Sequence, residues 1–218
     1  MKDKFLPLSL ILTTAFVLSA CIATTSVRQG SLENNVYRSS TDEFSLSIPA
    51  GAAVHDGVHP LGGFVSLKKL PEPARERGLA YYRVVQPDRE MTVKEAEGII
   101  EASYKDWLQN YAGRTAEHVL HAEWMDVDGA TAYFTVIEGA SSGFLVKPGA
   151  YYGALGFARG NYSYVIYEII TAPYQLKGSP DTPETLGIKN PENRIASLLN
   201  YLDTVNFSQA ATVKDPMN

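Results

Sequence analysis

Tyr162-Ser163-Tyr164-Val165-Ile166-Tyr167-Glu168-Ile169-Ile170-Thr171 is the stretch that decides the fold. Its aromatic and β-branched residues favour a strand. Side chains alternate across a strand, so Tyr164, Ile166 and Ile170 face one way and Val165, Tyr167 and Ile169 the other. A strand apolar on both faces needs cover on both faces, and two amphipathic helices can supply it. In the first, Thr92 and Glu95 form a capping box. Val93, Ala96, Glu97, Ile100, Tyr104, Trp107, Leu108 and Tyr111 then recur at helical spacing, and Gly113 is the expected stop. The second opens at Asn190-Pro191, a cap followed by proline in the first turn. Its expected buried stripe is Ile195, Leu198, Leu199, Leu202 and Val205.

Working outward, Gly160-Asn161 reads as a tight turn joining a strand over 151–159 to the deciding one. Asp128-Gly129 likewise joins strands over 115–127 and 130–138. Further strands are expected over 44–48, closed by Pro49, and over 64–70 and 79–85, with the charged, proline-broken stretch 71–78 between the last two. Hairpin connections make the sheet largely antiparallel. The expected class is α+β, a three-layer α/β/α sandwich around that sheet. The proline-bearing connection 171–190 is long, and loops of that kind are often functional.

At the other end, Lys2, Asp3 and Lys4 precede an apolar run over 5–17, followed by Leu18-Ser19-Ala20-Cys21. The run is short for a membrane span and suits a secretory signal. The four residues resemble the processing site of bacterial lipoproteins. That resemblance implies a signal peptide over 1–20, with Leu18, Ser19 and Ala20 read by the signal peptidase. It further implies diacylglyceryl attachment at Cys21, whose freed amine is then acylated. The alternative is an ordinary secretory signal followed by a cysteine. Cys21 is the only cysteine in the sequence. By the sorting rule of enterobacterial lipoproteins, Ile22 in place of Asp argues for outer-membrane delivery, facing the periplasm. The expected organisation is then a lipidated flexible tether over 21–35, one globular domain over 36–207 and a frayed tail over 208–218.

Composition narrows the partners. Of 218 residues, Lys and Arg total 19 against 24 Asp and Glu, a formal charge of −5. No basic stripe exists to neutralise phosphates, so nucleic acid is an unsuited partner. The acidic body also gives no polybasic attraction to anionic lipid, which leaves the acyl chains to hold the membrane.

Few residues propose chemistry. Gly139-Ala140-Ser141-Ser142-Gly143 fits the nucleophile-elbow pattern, but Pro148 and Gly149 follow where a helix is required. Every histidine (His55, His59, His118, His121) also precedes the serine, against the hydrolase order. His55 and His59 are expected in a loop, because Gly57 lies between them and Pro60 follows. On a strand, His118 would share a face with Leu120 and Trp124, and His121 with Glu117 and Glu123. A third metal ligand is not evident, so neither a metal site nor any cofactor is expected. Asp126 and Asp128 read as turn residues. The tyrosines are more suggestive, since they are favoured at interfaces, although they are also strong strand formers. Tyr151 and Tyr162 are the residues expected to face a partner.

Asp42-Glu43-Phe44-Ser45-Leu46-Ser47-Ile48-Pro49 resembles the opening of PsbP/Mog-type domains. The order of following strands, the long helix ending near Trp107, the hairpins and the last helix closing on Thr204-Val205-Asn206-Phe207 match that pattern too. The resemblance implies an α/β/α sandwich that serves as a binding or assembly module, and it transfers no site residue. The expected function is therefore non-enzymatic: a lipid-anchored envelope protein that binds another envelope protein. The alternative is a carrier or sensor holding a small amphiphile between helix and sheet.

Overall fold

The computed structural model describes residues 30–59, 61–70, 74–84, 91–110, 118–139, 150–171 and 187–208. The chain runs β1 (Ser31–Glu33), β2 (Val36–Arg38), β3 (Phe44–Ser47), β4 (Ala53–His59), β5 (Gly62–Lys68), β6 (Ala74–Arg83), α1 (Val93–Asn110), β7 (His118–Val127), β8 (Ala130–Gly139), β9 (Ala150–Arg159), β10 (Tyr162–Thr171), α2 (Pro191–Leu202) and β11 (Val205–Phe207). The class is α+β. Among the described residues all strand pairings are antiparallel, in a seven-stranded sheet ordered β4-β5-β6-β10-β9-β8-β7 and a four-stranded one ordered β1-β2-β3-β11.

The deciding stretch is β10, paired with β9 along its whole length and with β6 up to a register step between Ile169 and Ile170, in the middle of the large sheet. Its two faces are buried as expected, by different partners. Tyr162, Tyr164 and Ile166 join Leu79, Tyr81, Phe134, Leu155 and Phe157 in a core closed by Leu198 and Tyr201 of α2 and by Phe44, Leu46 and Val205 of the small sheet. Val165 and Tyr167 join Ala80, Tyr152, Ala154 and Ile137 in a second core against Tyr104, Trp107 and Leu108 of α1. Burying large side chains on both faces is the main stabilising term, at about 1.5–3 kcal/mol each.

Both helices start where the caps say. Thr92 N donates to Glu95 Oε2 at 2.9 Å, and Glu95 N donates back to Thr92 Oγ1 at 3.3 Å. Asn190 Oδ1 accepts from Glu192 N at 2.8 Å and Asn193 N at 3.3 Å, with Pro191 opening α2. Val93 departs from the expected α1 face and is exposed, being on the first residue of the helix.

Other differences trace to pairing that local signals do not carry. β1 lies inside the stretch expected to be tether, because Asn34 and Asn35 take positive φ (50° and 59°) and turn the chain back so that Leu32 pairs with Tyr37. The expected loop around His55 and His59 is β4, held by β5 with His55 opposite Ser66. β6 begins at Ala74, inside the expected break, because Glu76, Arg77 and Gly78 pair across both β5 and β10. Val205 belongs to β11 rather than to the stripe of α2, opposite Leu46 of β3.

Candidate functional site

Tyr151 and Tyr162, the expected partner-facing residues, are only 4% and 7% exposed. Tyr162 lies in an aromatic cluster, its ring 6.1 Å from both Tyr81 and Tyr164, while Tyr164 packs at 4.8 Å on Phe207. Burial pushes the Tyr164 phenol up, and the Glu43 charge adds to the effect. Tyr151 donates to Glu138 Oε1 at 2.8 Å, and Lys189 sits 5.5 Å over its ring. Its pKa is raised by burial and then by the bond to Glu138. The tyrosines build the core here, because strand-forming propensity and apolar bulk outweigh their polar tips.

A buried ionic cluster fixes α2 on the sheet. Glu168 of β10 and Arg194 of α2 are 1% and 2% exposed. Arg194 Nη1 donates to Glu168 Oε2 at 2.6 Å and Nη2 to the Glu168 carbonyl at 3.0 Å. Arg77 Nε donates to Glu168 Oε1 at 2.8 Å, as does Ser197 Oγ at 3.0 Å. The Arg194 guanidinium lies flat against β9, where a Cβ on Gly153 would come within 3.0 Å of Nη2. Desolvation draws the Arg194 pKa down, and Glu168 offsets part of that. Each carboxylate oxygen is satisfied by a cation, so the cluster holds position and offers no free acid or base. Sequence reasoning passed over it. The available signals were a lone glutamate inside an apolar strand and an arginine one turn before Leu198 on the buried stripe.

Two clefts flank α2. The larger, ≈ 520 Å³, lies at its C-terminal end between β11, the tip of the β7–β8 hairpin and the end of β9. Phe157, Leu202, Val205 and Phe207 give it apolar walls, with Asp128, Asp203 and Arg159 also lining it. Arg159 stands 5.0 Å over the Phe207 ring. The smaller, ≈ 400 Å³, lies at the N-terminal end of α2 and is lined by His121, Glu123, Asn190, Pro191, Glu192 and Ile195.

The third feature is the free edge of the large sheet. β7 pairs only with β8 among the described residues. Val119, Leu120 and Trp124 are 51%, 36% and 38% exposed on it. Against β8 the register steps between Val119 and His121, leaving Leu120 as the extra residue of a bulge. The bulge overturns the expected facing of His118, which lies opposite Glu138 on the face away from Trp124, while His121 keeps the face it was expected to share with Glu123. His118 is exposed, whereas His121 is half-buried against Phe134, 3.2 Å from Glu123 Oε1 and outside hydrogen-bonding geometry. Among the described residues no three His, Cys, Asp or Glu side chains converge as metal ligands. The other edge differs. Asp56 Oδ2 of β4 accepts from Gly30 N and from Tyr37 Oη, both at 2.9 Å, and among the β4 residues of described burial only His55 is exposed.

Asp126 and Asp128 form the expected turn: Gly129 N donates to Asp126 Oδ1 at 2.9 Å, and Asp128 and Gly129 both have positive φ. Leu18, Ser19, Ala20 and Cys21, Ser141 with its flanking residues to 149, most of the 171–190 connection and the tail from 209 lie outside the described residues. Among the described residues no helix is long and apolar enough to cross a membrane.

No family model matches the chain, and no curated protein matches it. Among solved structures it is similar to the solution structure of cyanobacterial PsbP (CyanoP) from Synechocystis sp. PCC 6803. That match has 12% identity over 85% of this chain and 96% of that one, with a TM-score of 0.47. It is also similar to a crystal structure from Bacteroides thetaiotaomicron VPI-5482, at 8% identity over 80% of this chain and with a TM-score of 0.41. The chain spans about half the length of that second protein (48%). At these identities and scores neither likeness carries an argument about what this chain binds.

Proposed function

We propose that the protein is a non-enzymatic, lipid-anchored component of the cell envelope that works by binding another envelope protein. Its anchor is Cys21, its place the periplasmic face of the outer membrane, and it needs no cofactor. We read the architecture as the three-layer sandwich of PsbP/Mog-type domains, with the small sheet sharing the layer of α2. The observation that carries the binding role is the β7 edge, a row of backbone donors and acceptors flanked by exposed Val119, Leu120 and Trp124. Such an edge accepts a strand from a partner, with main-chain bonds giving affinity and side chains giving selectivity. The surface assigned to Tyr151 and Tyr162 moves to β7, since those rings are buried.

A second reading, a carrier of a small amphiphile, is favoured by the ≈ 520 Å³ cleft at the end of α2, whose volume lies in the range of small-molecule sites.

Crosslinking in cells followed by mass spectrometry tests the proposal. A dominant protein adduct mapping to β7, lost in Cys21→Ala, is the expected result. Extraction of a stoichiometric amphiphile with no protein adduct would favour the second reading. Labelling with a palmitate analogue, expected for the native chain and absent from Cys21→Ala, tests the anchor separately.

A further inference from the structure

We infer that the partner strand taken by β7 is basic and amphipathic: it sets a lysine or arginine opposite Glu123 and apolar residues on either side of that position. This rests on the reading of β7 as a docking edge, and it names the chemistry of the partner.

Directly opposed residues in a sheet project to the same face, and their neighbours along the strand to the other. From Ala122 to Val127 the pairing with β8 is regular, so the two faces of the edge are well defined there. Beyond Ala122 the bulge at Leu120 breaks the alternation and ends the matched segment. Ala122 and Trp124 lie on the α1 face, where the Trp124 ring packs 4.8 Å from Tyr133. Glu123 lies on the α2 face, opposite Phe134. It lines the ≈ 400 Å³ cleft together with Glu192 at the start of α2. Among the described residues no lysine or arginine lines that cleft, and neither glutamate pairs with one. The helix end does not supply the missing cation either, because Asn190 Oδ1 already accepts from the amides of Glu192 and Asn193.

A strand laid on this edge therefore meets an apolar ledge on one face and an acid-walled cleft on the other. A long basic side chain opposite Glu123 lays its aliphatic stem along the Ile195 wall and its charge between the two carboxylates. An acidic residue at that position faces like charge, which costs affinity. Opposite Ala122 and Trp124, the partner's apolar residues cover the exposed indole, a side chain well suited to anchor an interface.

Calorimetric titration of the detergent-solubilised full chain tests this with three capped peptides. One alternates valine with lysine, one alternates valine with glutamate, and the last is the lysine peptide N-methylated at every backbone amide, which keeps its charge but removes its ladder donors. The lysine peptide should bind, the glutamate peptide about tenfold more weakly, and the methylated one not measurably. Glu123→Gln and Glu192→Gln should each weaken the lysine peptide about threefold to fivefold. The double reversal Glu123→Lys/Glu192→Lys should turn the preference toward the glutamate peptide, whereas Glu33→Lys, the same charge change on the small sheet, should leave it as it was. Trp124→Ala should weaken both strands alike. Circular dichroism should be unchanged throughout, since Glu33, Glu123, Trp124 and Glu192 are exposed. A preference for lysine that survives the double reversal, or no preference at all, with the methylated peptide still unbound, overturns the inference and leaves the docking edge standing. A methylated peptide that binds as tightly as its parent, or no binding by any of the three, overturns both.

Discussion

Glu168 carries more of this molecule than its position in a run of apolar residues suggests. Its single carboxylate is shared between Arg194, which is fully buried, and Arg77, which is partly so. Removing one partner of a buried ion pair leaves the other charge uncompensated, at a cost of about 3–5 kcal/mol. Glu168→Gln should therefore lower stability by that amount in urea denaturation, and Gly153→Ala by about 1–3 kcal/mol, because the added methyl presses on a guanidinium held in place by its bonds to Glu168. Tyrosines give a second residue-scale expectation. Burial raises the Tyr104 phenol to about 12, with its bond from Thr135 Oγ1 at 3.0 Å opposing part of the rise. A phenol with a raised folded pKa contributes stability that is whole below pH 10 and fades as pH climbs from about 10 to 12. Denaturation midpoints measured from pH 8 to pH 12 should hold steady and then fall across that window. At this scale the sequence was misleading about Tyr151 and Tyr162, since tyrosine suits a strand interior and a contact surface equally well and the choice depends on what packs above it.

The helices behave as their ends predict. Asn190→Ala removes the acceptor for two amides of α2 and should cost about 1 kcal/mol, read as a lower thermal midpoint with the fold retained. Caps, the two hairpin turns and the doubly apolar β10 were legible because each is a local signal: one residue type meeting one backbone requirement. β4 was not, because Gly57 and Pro60 look like breakers until Phe64 and its neighbours pair alongside. The bulge at Leu120 was equally hidden. It inserts one residue into an unbroken alternation, and so moves His118 onto the face of His121 and Glu123 and away from Trp124, with which a period of two would place it.

Across the whole molecule, the division of cover over the large sheet follows from β10. α1 shields one face, and α2 shares the other with a small sheet assembled from both ends of the described chain, β1–β3 with β11. That sharing could not be read from periodicity, since β11 is three residues long and its partner β3 is far away in sequence. It also gives Phe207 and Val205 their place beside the cleft at the end of α2.

The bonds from Gly30 and Tyr37 to Asp56 have a last consequence. They staple Asp56 of the outer strand β4 to the start of the small sheet, so the two ends of the large sheet are unlike: one is tied to another layer, and the other pairs only with β8 among the described residues. Growth into a filament requires every unit to be joined twice, head to tail. A unit with a single coupling end is a chain terminator to its neighbour. Any strand added at β7 would then lack a matching second end to carry the sheet onward, which separates an exposed edge that accepts one partner from one that aggregates.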